Sequence, residues 1–381
     1  MLIIVAFNSG LSALKHEGLY HVIELKRGWK FHQANKMEWM PAEVPGTVHT
    51  DLFQNGKIGD PFYRTNERDQ QWIDKVDWEY QILFNVDADL LNKDKVRLVF
   101  KGLDTYADVY LNGKIILNAN NMFREWKVDC KSELKSGINE LKIYFHSPIK
   151  IDLPKLERLG YQLPAVNDQS ENGGLGKKKI SIFARKAPYH YGWDWGPRFV
   201  TSGIWRPIYL EAWDCAKIEG VQIIQKKLNK TEAVISVVYE ILSTGEYQAE
   251  IKLFFDQNKA PIAAKSFSLK SGLNKIDMNF SIEQPNLWWC NGLGTPYLYS
   301  ILSQLIVDGM VCQFKKDKFG VRTLKIVQEK DKFGKSFYVE LNGVPVFAKG
   351  ANYIPMDNFM PRVSNEKYDR TIKAAAAANM N

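Results

Sequence analysis

The 381-residue chain is predicted to be mainly β: two successive sandwiches of short strands, followed by one strand–loop–helix unit. Three observations predict this. Short runs rich in Val, Ile, Leu, Tyr and Phe recur from about Leu19 to Arg322, most of them alternating at close to period two. Turn residues separate the runs at intervals that suit sandwiches. After Arg322 the pattern changes, and its last apolar positions follow a helical period.

Taken in order, Met1 to Phe7 is a short apolar run, and Asn8-Ser9-Gly10-Leu11-Ser12-Ala13 follows it with small residues. The basic flank of a full secretion signal is missing, so residues 1–18 read as the remnant of such a signal, as the product of a mis-set start, or as a first buried strand. Strands are then expected at 78–84, 96–100, 107–111, 114–117 and 141–145. Asn112-Gly113 between two of them is the strongest short hairpin signal available. Residues 161–179 break the pattern, because Asn167 to Gly174 is turn-rich and three lysines follow Gly176. A phosphate-binding loop is not spelled: Glu171 stands where its first glycine belongs and Lys178 where Ser or Thr belongs. A flexible surface loop is expected there instead.

A second all-β unit is expected over 216–322, with strands at 233–239, 249–255, 275–280 and 298–305 and turns such as Asp308-Gly309 between strands. That spacing predicts an immunoglobulin-like sandwich. Trp288-Trp289 beside Asn291-Gly292 is expected at an inter-domain packing corner rather than as a sugar platform. Beyond it, Phe347 to Asn352 reads as a buried strand, and Ser364 or Asn365 can cap a helix. Tyr368, Ile372, Ala375, Ala376 and Met380 line one apolar face of that helix. One such unit cannot close a barrel by itself.

Bulk numbers exclude several function classes. Lys and Arg total 51 against 43 Asp and Glu, a net charge of +8, but the signs alternate and the densest basic run is Lys177-Lys178-Lys179. A nucleic-acid surface requires clustering, so no nucleic-acid partner is expected. The four cysteines and six histidines show no metal-ligand spacing, and neither a metal nor another cofactor is expected. No run of 18 apolar residues is present, so no membrane span is expected.

The most informative stretch is Tyr189-His190-Tyr191-Gly192-Trp193-Asp194-Trp195-Gly196-Pro197-Arg198-Phe199. It holds one carboxylate between two indoles, with glycines to bend the backbone on either side. Aromatic faces beside an anion suit a pyranose ring, whose C–H faces stack and whose hydroxyls donate. The alternative is a core turn in which the indoles pack and Asp194 caps backbone amides. Phe183, Arg185, Lys186, Tyr189, His190 and Tyr191 crowd the segment and favour the sugar-binding reading.

With Arg185-Lys186 ahead of it, this G-W-D-W-G-P stretch resembles the β-mannosidase branch of glycoside hydrolase family 2. Other segments are similar to that family in the same order. They are Val44 to His49, Leu103 to Gly113, Pro285 to Gly292 (with Cys290 where Pro is usual), Phe319 to Arg322, Leu341 to Gly343, and Gly350 to Asp357 (with Tyr353 for Trp and Met356 for Ala). The resemblance implies a jelly-roll-like, galactose-binding-like domain over 19–215, an immunoglobulin-like sandwich over 216–322, and the first βα unit of a truncated (β/α)8 barrel over 323–381. It implies an exo-acting, retaining β-mannosidase whose two catalytic glutamates lie past residue 381, so that no catalytic residue is expected here and the chain alone is expected to be inactive. Substrate-binding roles are implied for Asp194, Trp193 as an apolar wall, Arg185, Asn352 and Asp357. Asn352 alternatively satisfies loop amides. The implied partners are β-mannoside oligosaccharides or glycans, and the implied location is secreted, periplasmic or lysosome-like, with cytoplasmic as the alternative. Two other readings remain: another family 2 activity such as β-galactosidase, against which the W-D-W element argues, and a stand-alone carbohydrate-binding module. A binding module would have no use for a barrel's first strand and helix.

Overall fold

The computed structural model describes residues 20–255 and 258–381. The signal-like reading of residues 1–18 lies outside them.

The first body is a sandwich of two antiparallel sheets. One sheet orders its six strands Met40–Pro41, Lys30–Gln33, Trp78–Val86, Gly137–Phe145, Tyr106–Leu111 and Lys114–Asn120. The other orders four: Tyr20–Glu24, Ile208–Trp213, Lys95–Phe100 and Trp126–Asp129. Period-two patterning sets the facing in Trp78–Val86, where Trp78, Tyr80, Ile82, Phe84 and Val86 all face the core. Each fully buried side chain of that size contributes roughly 1.5–3 kcal/mol of transfer free energy. Asn112 (φ 51°) and Gly113 (φ 83°) form the hairpin tip joining the 106–111 and 114–120 strands.

The strand Ile208–Trp213 inserts between Tyr20–Glu24 and Lys95–Phe100, so the chain crosses the whole sandwich just before it. Residues 160–207, which contain the aromatic segment, make that crossing without a strand. A helix, Pro148–Leu159, supports it. Ser147 caps the helix by accepting from Lys150 N, proline starts it, and Gly160 (φ 79°) ends it. Its Ile149 and Leu156 form a small satellite core with Ile180, Tyr191 and Val200.

The second body packs a three-stranded sheet (Ala216–Leu228, Glu232–Ser243, Gly272–Glu283) on a four-stranded one (Ala263–Leu269, Tyr247–Phe255, Tyr299–Val307, Met310–Phe319). Charged residues join the two bodies. Arg97 donates to Glu211 (2.9 Å) and Glu219 (2.7 Å), and Lys217 donates to Glu211 at 2.7 Å. Trp288 sits where the second body meets the C-terminal segment, with its amide on Val321 O and its carbonyl receiving Asn342 Nδ2.

After Arg322 a three-stranded meander (Leu324–Val327, Tyr338–Leu341, Val344–Val346) leads to the end of the chain. The buried strand expected at Phe347–Asn352 does not form. Those residues are exposed, Phe347 at 81%, and have no sheet ladder. A strand of parallel type needs partners on its edges, and among the described residues only Asn381 bonds to this backbone. The helix does form, as Asn365–Ala377, capped by the Ser364 side chain accepting from Lys367 N. None of its residues is buried: Thr371 reaches Met356 and Ala376 O receives Asn291, while Tyr368 and Ile372 on its apolar face stay exposed.

Candidate functional site

The aromatic segment is built on a buried ion pair. Lys186 Nζ reaches both Asp104 oxygens at 2.6 Å and Thr201 at 2.8 and 2.9 Å, with the lysine and aspartate side chains fully enclosed. Burial draws the Lys186 ammonium below its ordinary range, and Asp104 opposes that shift. A buried pair of this kind tolerates no loose partner, which fixes the backbone at 186 and 201.

Between those positions the chain is held at three points. His190 contacts Thr201 Oγ1 through Nδ1 and the Asn358 carbonyl through Nε2. Arg198, fully buried, donates from Nη1 to Gln71 and Asp74 at 2.5 Å, while its amide meets Glu67 Oε1 at 2.8 Å. Gln169 donates from Nε2 to Trp193 O at 2.7 Å, and its amide meets Tyr191 O. The last contact corrects the flexible-loop expectation. Residues 168–176 are a folded brace in which Asp168 accepts from the amides of Ile180 and Ser181, and Ser170 bonds to Gly176 O.

Gly192 (φ 100°) turns the chain outward, where a Cβ would collide with Gln169 at 2.6 Å. Trp193 N then bonds to Gly196 O at 3.1 Å, closing a tight turn with Asp194 and Trp195 at its tip. Asp194 is exposed, and both indoles are partly buried, with Trp195 resting 5.6 Å from the Tyr189 ring. Among the described residues, nothing hydrogen-bonds or ion-pairs with the Asp194 carboxylate. The Asp194 side chain is open to solvent, and its neighbours in the chain are the half-buried Trp193 and Trp195.

The loop at 357–359 packs behind this turn. Asn358 Nδ2 donates to Pro197 O at 3.0 Å, and Phe359 is fully buried among His49, Phe62 and Phe199. Asp357 is therefore brought beside the segment, but its carboxylate is engaged locally: it accepts from Phe359 N and from Arg362 at 2.6 and 2.9 Å. Asn352 lies exposed on the unladdered stretch. Arg185 is exposed, its carbonyl bonded to Met122 N. Among the described residues no hydrogen bond or ion pair joins Arg185 or Asn352 to the turn. Trp193 and Asp194 thus share one turn, Asp357 is a neighbour facing elsewhere, and the other two stand apart. The sequence reading missed Gln169 and Asn358, whose amides set the turn. A single sequence carries no mark of contacts made across 24 and 161 positions.

Comparison with known proteins gives the chain's family. Residues 29–206 match the glycosyl hydrolase 2 galactose-binding domain-like family, and residues 216–322 match glycosyl hydrolases family 2. β-Mannosidase B of Aspergillus terreus is 34% identical over 353 residues, which are 92% of this chain and 41% of that protein. The Aspergillus niger β-mannosidase B is 34% identical over 359 residues, covering 93% and 41%. Among solved structures, the β-D-mannosidase of Dictyoglomus thermophilum superposes with a TM-score of 0.86 at 33% identity, over 95% of this chain and 43% of that one. An exo-chitosanase of Amycolatopsis orientalis, at 21% identity and a TM-score of 0.73, shares the fold. The chain spans about two-fifths of the length of these relatives. It belongs to glycosyl hydrolase family 2 and corresponds to the N-terminal portion of the family's β-mannosidases.

Proposed function

We propose that this chain is the substrate-orienting N-terminal part of an exo-β-mannosidase that removes terminal, non-reducing β-linked mannose with retention. The carrying observation is Asp194: an exposed, unpartnered carboxylate, among the described residues, at the tip of a braced turn flanked by Trp193 and Trp195. Its oxygens accept sugar hydroxyls while the indoles receive the ring's C–H surface. A hydrogen bond to a charged acceptor contributes about 1.5–3 kcal/mol net, enough to select one ring orientation. Retaining hydrolysis also needs two carboxyl groups about 5–5.5 Å apart, one as acid/base and one as nucleophile. In this reading both are barrel glutamates supplied by the rest of the protein, and the 357–359 loop joins the Asp194 turn to that barrel. Arg185, Asn352 and Asp357 are assigned to the wall of the same site, Asp357 through its loop. The domain division is 19–215, 216–322 and 323–381. A secreted, periplasmic or lysosome-like location follows from the glycan substrate. No helix among the described residues is long and apolar enough to cross a membrane.

Hydrolysis of aryl β-mannoside and aryl β-galactoside by the full-length protein tests the reading. Selective turnover of the mannoside is expected, with none from residues 1–381 alone. Activity of this chain by itself, constant per milligram through purification, would place the catalytic groups within it and overturn the proposal.

A further inference from the structure

The loop Asp60–Asn66 is internally braced, exposed at its tip and unused by the fold's core. Asp60 accepts from the amides of Phe62 (2.9 Å) and Tyr63 (3.1 Å), and Asn66 Nδ2 donates back to Asp60 O at 2.8 Å. The base of the loop belongs to the site's own support. The Phe62 ring lies 5.6 Å from both Phe199 and Phe359, and the Arg362 guanidinium stands 5.3 Å over it. The tip does the opposite. Tyr63 is 56% exposed, and the exposed Arg64 stacks on its ring at 5.1 Å without an ion-pair partner among the described residues. Arg64 also holds φ at 51°, a conformation that glycine adopts freely and other residues at a cost.

An arginine that stabilises nothing buried, kept in a costly conformation beside an exposed aromatic ring, is explained by what it presents to solvent. We propose that Tyr63 and Arg64 form a second carbohydrate contact, taking a neutral sugar residue of the substrate beyond the mannose held at Asp194. The phenol ring stacks on the sugar's C–H face, and the planar guanidinium donates to its hydroxyl oxygens. Continuity supports the location, because Phe62 shares one aromatic layer with Phe199 and Phe359, the ends of the Asp194 segment and of the 357–359 loop. The proposal rests on the β-mannosidase reading above and adds a determinant of chain-length preference to it.

The test uses the full-length protein with Tyr63→Ala and Arg64→Gly, an aryl β-mannoside carrying one sugar, and β-1,4-linked mannotriose. Each variant is expected to raise KM for mannotriose about three- to tenfold, and to leave the aryl mannoside within about twofold. Arg64→Gly, which relieves the positive φ, is expected to keep or raise the melting temperature. Equal losses on both substrates, or a lowered melting temperature with them, would make the loop a buttress for the rest of the protein and overturn the contact. Unaltered mannotriose kinetics would overturn it as well. A wild-type protein inactive on both substrates would instead defeat the β-mannosidase reading itself.

Discussion

His190 Nε2 lies 3.1 Å from the carbonyl oxygen of Asn358, joining two positions 168 residues apart. A carbonyl only accepts, so Nε2 carries the proton. Burial, reinforced by the Lys186 cation, pushes the imidazole's pKa well below its ordinary range and keeps it neutral. Together with Asn358 Nδ2 on Pro197 O and the buried Phe359, this bond anchors the 357–359 loop to the sandwich that carries Asp194.

The protonation state gives a test. The unfolded chain takes up a proton at His190 below about pH 6.5 and the folded chain does not, so the histidine's contribution is full above that pH and shrinks as pH falls. His190→Gln is expected to be less stable than wild type by about 1–3 kcal/mol at pH 7.5. The gap should close by about 1.4 kcal/mol per unit below pH 6. Urea midpoints at pH 7.5, 6 and 5 measure it. A gap that stays constant would mean the imidazole titrates normally in the folded protein.

Arg185 and Lys186 are adjacent but have opposite roles. Lys186→Met leaves Asp104 buried without its cation and is expected to cost about 3–5 kcal/mol of stability. Arg185→Ala removes a side chain with no ion-pair partner among the described residues and should stay within about 0.5 kcal/mol. Comparable losses in denaturant midpoint would contradict the contacts assigned to them.

Gly192 and Gln169 are coupled through space. Gly192→Ala is expected to lose about 1–3 kcal/mol, part from the positive φ and part from the Cβ pressing on Gln169. Gly192→Ala combined with Gln169→Ala should lose less than the sum of the two single losses, because the contact is shared. Strictly additive losses would show that the two side chains do not meet.

The tail meets the first sandwich through its 357–359 loop and the second body through Asn342 and the helix end, with exposed stretches between. Phe333, Phe337, Phe347 and Tyr353 are exposed, whereas Phe359 is fully buried. Chymotrypsin is expected to cut residues 1–381 first between Arg322 and Met356, leaving the two sandwiches intact, and Phe359→Ala should hasten release of the end fragment. First cuts within 20–322 would contradict this.

Local signals were readable in the sequence where the physics is local. Asn112-Gly113, the alternation from Trp78 to Phe84 and the Ser364 cap each specify their element within a few residues. The strand Ala216–Leu228 was not readable, since irregularities at Ile218/Gly220 and Gln225/Lys227 break its period. Phe347–Asn352 has a strand's composition but no neighbours to pair with, and pairing is not a local property. At the candidate site, W-D-W announced aromatic walls and an anion. The engagement of Asp357 with Phe359 N and Arg362 is a short-range turn that the pattern Asp-Asn-Phe could have suggested.

That Asp194 is held free in order to orient a sugar is tested most directly by kcat/KM for an aryl β-mannoside. The measurement uses the full-length protein with Asp194→Ala, alongside the melting temperature. A fall of about tenfold or more is predicted with the melting temperature unchanged, because the lost bonds act on the bound sugar and not on the fold. An unchanged kcat/KM with a lowered melting temperature would contradict this role and return Asp194 to a structural one.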